Sequence, residues 1–164
     1  MLTVTKKQRQ AGFTIVELLI VIIVIAILAT LVIMAYNGVQ QRAYDTVVKD
    51  DLSNFSKKLE IARLDNNDAY PTALTASMGF SFSKSSYALD PQSTTLRYCV
   101  NTSTNNYIMY ALSKSGSYFK YTATGGLQSA TASYGYGICS QIGLVTTNPV
   151  ANGLSGTTWA SWAN

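Results

Sequence analysis

Eighteen consecutive residues, Leu18–Ala35, carry no charge, glycine or proline. As a helix this run spans about 27 Å, enough for the core of a bilayer with little to spare. A carboxylate, Glu17, sits at its mouth, and Lys6, Lys7 and Arg9 precede it. By the positive-inside rule those cations place the N-terminus in the cytoplasm and everything after the run outside. An ionisable side chain entering a span is costly, so one that is kept points to function. Glu17 is expected to await a positive partner supplied by another copy of the chain.

The rest of the chain is built for a setting outside the cytoplasm. Only 12% of residues are charged, about half the usual share, and Ser, Thr, Asn and Tyr fill the gap. The net charge is +4, but three of those charges are Lys6, Lys7 and Arg9, which leaves +1 for Phe13–Asn164. No basic cluster remains downstream, so no direct nucleic-acid site is expected. The two cysteines, Cys99 and Cys139, both fall in the polar C-terminal half. An even count in an exported domain favours one disulfide; the alternative is two separate buried thiols.

A secretory signal peptide has the same basic-then-apolar order. Its apolar core runs about 7–15 residues and ends in an A-x-A-like site. This run is longer, and Met34-Ala35-Tyr36-Asn37-Gly38 makes a poor cleavage site. A plain uncleaved anchor explains everything except Glu17 and the junction before it. That junction, Gly12 followed by Phe13-Thr14-Ile15-Val16-Glu17-Leu18-Leu19-Ile20-Val21-Ile22, resembles the class III leader of type IV pilins and pseudopilins. The motif covers about a dozen residues, and the basic leader and long apolar run on either side sharpen it.

The resemblance implies cleavage between Gly12 and Phe13 by a prepilin peptidase, and N-methylation of Phe13. The physics of the junction agrees. Gly12 has no side chain to block a narrow peptidase site. Cleavage removes the leader cations and frees an α-amino group at Phe13, ordinarily protonated near neutral pH. That amine can meet the Glu17 carboxylate of a neighbouring subunit, where the attraction is far stronger than in water. Both charges must be desolvated, so such a pair specifies register more than it adds stability. The competing arrangement is an intramolecular pair at the helix N-terminus, where Glu17 also complements the helix dipole. The resemblance further implies an assembly platform with its ATPase, and the cytoplasmic membrane as the store of precursor before an extracellular filament forms.

The helix is expected to run on from Phe13 to about Leu64. Tyr44, Val48, Leu52, Phe55, Leu59 and Ala62 recur at spacings of three or four, one apolar stripe. The first half is apolar all round and the second amphipathic. Asn37-Gly38 is the weak point between them, since glycine costs about 1 kcal/mol in a helix interior. It is the place where local melting would accompany assembly, and a continuous helix tolerating one glycine is the alternative. Many type IV pilins carry a proline in the apolar half, and this sequence has none there. The helix should end at Asp65-Asn66-Asn67-Asp68-Ala69-Tyr70-Pro71. Asp50-Asp51 is read as a solvated pair on an exposed face.

From Thr72 to Leu96 the pattern is irregular. Strands are expected at Leu96–Val100, Tyr107–Ser113 and Tyr118–Thr122, with Lys114-Ser115-Gly116-Ser117 as a hairpin turn. Gly125-Gly126 marks another turn, and short strands are expected in Ser133–Ser140 and Ile142–Thr146. Three to five antiparallel strands on the helix stripe make an α+β fold. Many pilins have a disulfide-closed C-terminal segment, and a Cys99–Cys139 bridge is similar to that. Trp159 and Trp162 in the tail are expected to dock on the body. Asn54-Phe55-Ser56 and Asn101-Thr102-Ser103 match the glycosylation pattern only as chance would.

Nothing points to an enzyme or a cofactor. Histidine is absent, which removes the commonest general base and metal ligand. Some pseudopilins bind calcium, but Asp90 is the sole acid after Tyr70, so no metal is expected. The chain divides into a leader at 1–12, an apolar helix half at 13–36, an amphipathic half at 37–64 and a β-rich head at 65–164. The leading expectation is a structural subunit that polymerises with itself, a major pilin. The alternatives are a minor pilin or pseudopilin of a secretion or DNA-uptake system, and an uncleaved membrane-anchored binding domain.

Overall fold

A computed structural model describes residues 12–131, 137, 139–143 and 150–163. One long helix, Ile15–Asp65, is followed by a six-stranded antiparallel sheet. The strands are β1 (Asp90–Asn101), β2 (Asn106–Leu112), β3 (Tyr118–Thr122), β4 (Gly126–Ala130), β5 (Val150–Gly156) and β6 (Thr158–Trp159). Their order across the sheet is β4-β3-β2-β1-β5-β6. The expected α+β class holds. The chain forms two units, one ending at Val39 and the other starting at Gln40.

In the first unit the helix continues through Asn37 and Gly38 without a break. A side chain at Gly38 would meet nothing within 4 Å in this chain. Its glycine therefore answers no packing need among the described residues.

In the second unit the stripe lands where the periodicity puts it. Val48, Leu52, Phe55 and Leu59 are buried, with Tyr44 and Ala62 half-buried on either side. They pack with Tyr98, Tyr107, Met109, Ala111, Phe119 and Leu154 of the sheet in one core. The helix ends in a polar knot. Tyr70 donates its hydroxyl to Glu60 at 2.6 Å, and Arg63 pairs with Glu60 and Asp68 at 3.4 and 3.2 Å. Asn105, in the β1–β2 turn, accepts the Tyr70 N–H and donates to the Asp68 carbonyl. Burial first, and then the Glu60 carboxylate, push the Tyr70 hydroxyl up to about 12.

Strand β2 is buried on both faces. Tyr107, Met109 and Ala111 face the helix, while Ile108 and Tyr110 join Cys99 and Cys139 on the opposite side. Its sequence therefore reads as a near-continuous apolar run rather than an alternation. The hairpin turn before β3 is closed by Ser113 N–H to Ser117 O at 2.9 Å. Gly125-Gly126 turns β3 into β4 as expected.

Several expectations need correction. The sheet has six strands rather than three to five, because the tail contributes two. Strand β5 pairs along β1, and β6 pairs with β5. Residues Cys139–Ile142 form a 3-10 turn, not the ends of strands; the rest of Ser133–Ser140 and of Ile142–Thr146 lies almost wholly outside the described residues. The tail docks as expected. Trp162 is 6% exposed and packs on Phe55, Phe80 and Phe82, and Trp159 lies against Tyr87 at 5.3 Å. Gly153 makes this possible: a Cβ there would stand 2.5 Å from Leu96 and 3.0 Å from Trp162. Asn101 is buried, and its side-chain oxygen accepts the Ser103 and Thr104 N–H groups.

Candidate processing and assembly site

The junction is open. Gly12 has no neighbour within 4 Å of a side chain built on it, and Phe13 is 85% exposed. Lys6, Lys7 and Arg9 lie outside the described residues. Thr14 precedes the first helical residue, and its hydroxyl accepts the Glu17 N–H at 3.2 Å. Glu17 reaches back, accepting the Thr14 N–H and the Thr14 hydroxyl, each at 2.8 Å. This is a capping box, in which two orphan donors of the helix end are satisfied reciprocally. The sequence pattern Thr14-x-x-Glu17 announces it. In the single chain, then, Glu17 is occupied by Thr14 rather than waiting unpaired. A neighbour's amine must add to that bond or displace it.

Beyond the cap, from Leu18 to Ala35, the helix surface is apolar apart from Thr30. Every large apolar side chain from Phe13 to Val39 is exposed. The helix is long and apolar enough to cross a membrane. A face this large does not persist bare in water. Lipid or other helices must cover it.

The second unit is tied together by two carboxylates on the amphipathic half. Asp45 accepts hydrogen bonds from Ser115 and from Ser117, the latter at 3.1 Å, so the β2–β3 turn is tethered to the helix. Burial pushes its carboxyl up. The hydroxyls of Ser115, Ser113 and Ser117 and the charge of Lys49 outweigh that and hold it below the ordinary value. Asp51 is not solvated, contrary to expectation. It is buried, and it accepts Ser83 N–H at 2.7 Å, the Ser83 hydroxyl at 3.3 Å and the Tyr87 hydroxyl at 3.2 Å. Here burial wins over the hydrogen bonds, with the Asp50 charge adding to it, and the carboxyl is raised. Asp50 beside it is exposed. Cys99 and Cys139 are joined in a disulfide, with Cα atoms 5.6 Å apart, on the sheet face away from the helix.

Residues 7–33 match the family described as the prokaryotic N-terminal methylation motif. Over these residues the chain is similar to the members of that family. Among curated proteins, this chain is 37% identical over 67 residues to the type II secretion system core protein G of Aeromonas hydrophila, covering 41% of this chain and 46% of that one. It is 48% identical over 56 residues to the type IV wide pilus major component of Thermus thermophilus, covering 34% and 43%. The Escherichia coli core protein G is 37% identical over 68 residues, covering 42% and 45%. The chain thus spans less than half the length of each of these relatives. No solved structure matches it.

Proposed function

We propose that the chain is a structural subunit of a type IV pilus, not a catalyst. On this reading prepilin peptidase cuts between Gly12 and Phe13, and Phe13 is then N-methylated. The precursor waits in the cytoplasmic membrane with its body outside. An assembly platform and ATPase then build it into an extracellular filament with a core of apolar helices. The observation that carries this reading is the exposed apolar surface of Leu18–Ala35 directly after the junction and its cap. Lipid covers it in the precursor, and the same segment of neighbouring subunits covers it in the filament. The Phe13 amine of one subunit then meets Glu17 of the next, with Thr14 holding the carboxylate at the helix start until it arrives.

A second reading is favoured by the relatives named as core protein G of type II secretion systems: the same subunit in the short filament of a secretion machine. Intact-mass analysis and N-terminal sequencing of the mature chain, with antibody-labelled imaging of cells, test both. Mature chain beginning at methylated Phe13 in long surface filaments supports the pilus. The same N-terminus without surface filaments supports the secretion subunit. A chain retaining Met1 in cells with an active peptidase overturns both and leaves an anchored binding domain.

A further inference from the structure

Most charges on the amphipathic half of the helix are engaged within the chain. Asp45 is held by Ser117 and Asp51 by Ser83 and Tyr87. Lys49 lies over the Phe119 ring, Lys58 donates to the Gly79 carbonyl, and Glu60 and Arg63 belong to the knot around Tyr70. Four charges remain: Arg42, Asp50, Lys57 and Asp65. All four are exposed, and none has a hydrogen bond or ion pair from its side chain among the described residues. Their signs alternate, plus, minus, plus, minus. Their spacings are eight, seven and eight residues, close to two helical turns each time.

At about 100° per residue these four fall within an arc of about 140°. The arc lies opposite the buried stripe of Val48, Leu52, Phe55 and Leu59. Ala43, Thr46 and Ser53 lie between the charges on the same face, and side chains this small let a second helix approach closely.

Resting on the filament reading above, we propose that this face docks on a second copy of the chain, parallel and displaced by seven to eight residues, about 10–12 Å along the helix. Parallel alignment follows because every subunit leaves the same membrane with the same polarity. Charge then selects the displacement. With no displacement each charge meets its own copy and repels it. A shift of four residues puts the four charges against neutral side chains such as Thr46, Ser53 and Ile61. A shift of fifteen sets Arg42 on Lys57 and Asp50 on Asp65, like on like. A shift of seven or eight pairs Arg42 with Asp50, Asp50 with Lys57, and Lys57 with Asp65 in the same contact. The contact is heterologous, since each copy offers different residues to the copy above and the copy below. Such contacts propagate into open filaments instead of closing into dimers. The pairs fix register and exclude wrong neighbours more than they bind.

Charge inversion in the full-length chain, expressed with its own assembly machinery, tests the proposal. Asp50→Lys places a cation against cations from both neighbours and should lower sheared filaments at least fivefold. Mature chain starting at Phe13 should be unchanged. The quadruple variant R42E/D50K/K57E/D65K restores alternation with every sign reversed, and filaments should return to within twofold of the unaltered chain. Full filament yield from Asp50→Lys, or a quadruple variant no better than that single one, would overturn the register. A second measurement does not depend on yield. Filaments of a chain carrying Asp50→Cys with Lys57→Cys should form a multimer series by direct disulfide oxidation, whose short reach excludes a bridge between positions two turns apart in one chain, and Thr46→Cys with Lys57→Cys should not; equal series from both overturn it. Filaments that form with either pattern leave the subunit reading standing. An unaltered chain that is neither cut nor polymerised removes that reading and this one together.

Discussion

Between Ile15 and Val39 every apolar side chain of the helix is exposed, whereas between Val48 and Leu59 the apolar positions are exposed by 2% or less. One continuous helix carries both stretches. They differ in where the covering surface comes from. The second stretch finds it inside its own chain, in Tyr98, Tyr107, Phe80 and Trp162. The first is exposed among the described residues, and lipid or other helices would cover it. Stability of the body and competence to assemble should therefore be separable by mutation along a single helix.

The largest expected effects break this contrast at the first stretch. Gly12→Val blocks entry of the junction into the peptidase and should abolish mature chain altogether, read by immunoblot and N-terminal sequencing. Glu17→Ala should leave processing intact and remove filaments, read by shearing and imaging. Filaments at the ordinary level from Glu17→Ala would show that the cap with Thr14 is its whole role.

Next come paired truncations, one from each stretch. Phe55→Ala removes a ring that packs against Phe80, Phe82, Tyr98 and Trp162 and should cost about 3–5 kcal/mol in denaturant unfolding of the body. Ile22→Ala removes an exposed side chain and should change that unfolding by less than about 0.5 kcal/mol. Equal losses would join what the contrast separates.

A third test sharpens the body alone. Burial raises the hydroxyls of Tyr87, Tyr98 and Tyr107 far above their ordinary value of 10.0. The folded chain therefore keeps protons that the unfolded chain releases above pH 10, and stability present below that pH is lost as pH rises toward the folded values. Each such tyrosine should contribute about 1.4 kcal/mol per pH unit to that loss. Tyrosinate absorbance should then appear together with unfolding, not before it.

The smallest effects concern the two tethering acids, which carry opposite signs. Asp45 is lowered below 3.8, so its contribution is present above that pH and fades as pH falls through the folded value. Asp51 is raised, so its contribution is greatest below 3.8 and fades as pH rises through the folded value. Asp45→Asn should flatten the acid limb of a stability–pH curve and Asp51→Asn steepen it, each by about 1 kcal/mol or less.

The helix, its stripe and the hairpin turns were legible because each is written in local periodicity or in local turn chemistry. What escaped depends on distant partners. Val150-Ala-Asn-Gly-Leu-Ser-Gly156 has no alternation to announce a strand; it becomes one because β1 offers an edge and Gly153 fits against Leu96. Asp51 is read as solvated until Ser83 and Tyr87, more than thirty residues away, close over it. The cap is a different case. Thr14-x-x-Glu17 lies in plain sight, but reasoning from the charge of Glu17 alone passes over it.

The disulfide also has a kinetic meaning. Strand β5 must find β1 across a long gap: Val150 stands forty-nine positions after Asn101, where β1 ends, but eleven after Cys139. Once Cys139 is pinned to Cys99, which sits opposite Val150 in that same pairing, the last large strand becomes a nearly local element. Loop-closure entropy alone makes that step cheaper by about 1.3 kcal/mol. Closure of the bridge thus favours one order of events: the β1–β4 meander first, then the bridge, then the strand that seats Trp159 and Trp162.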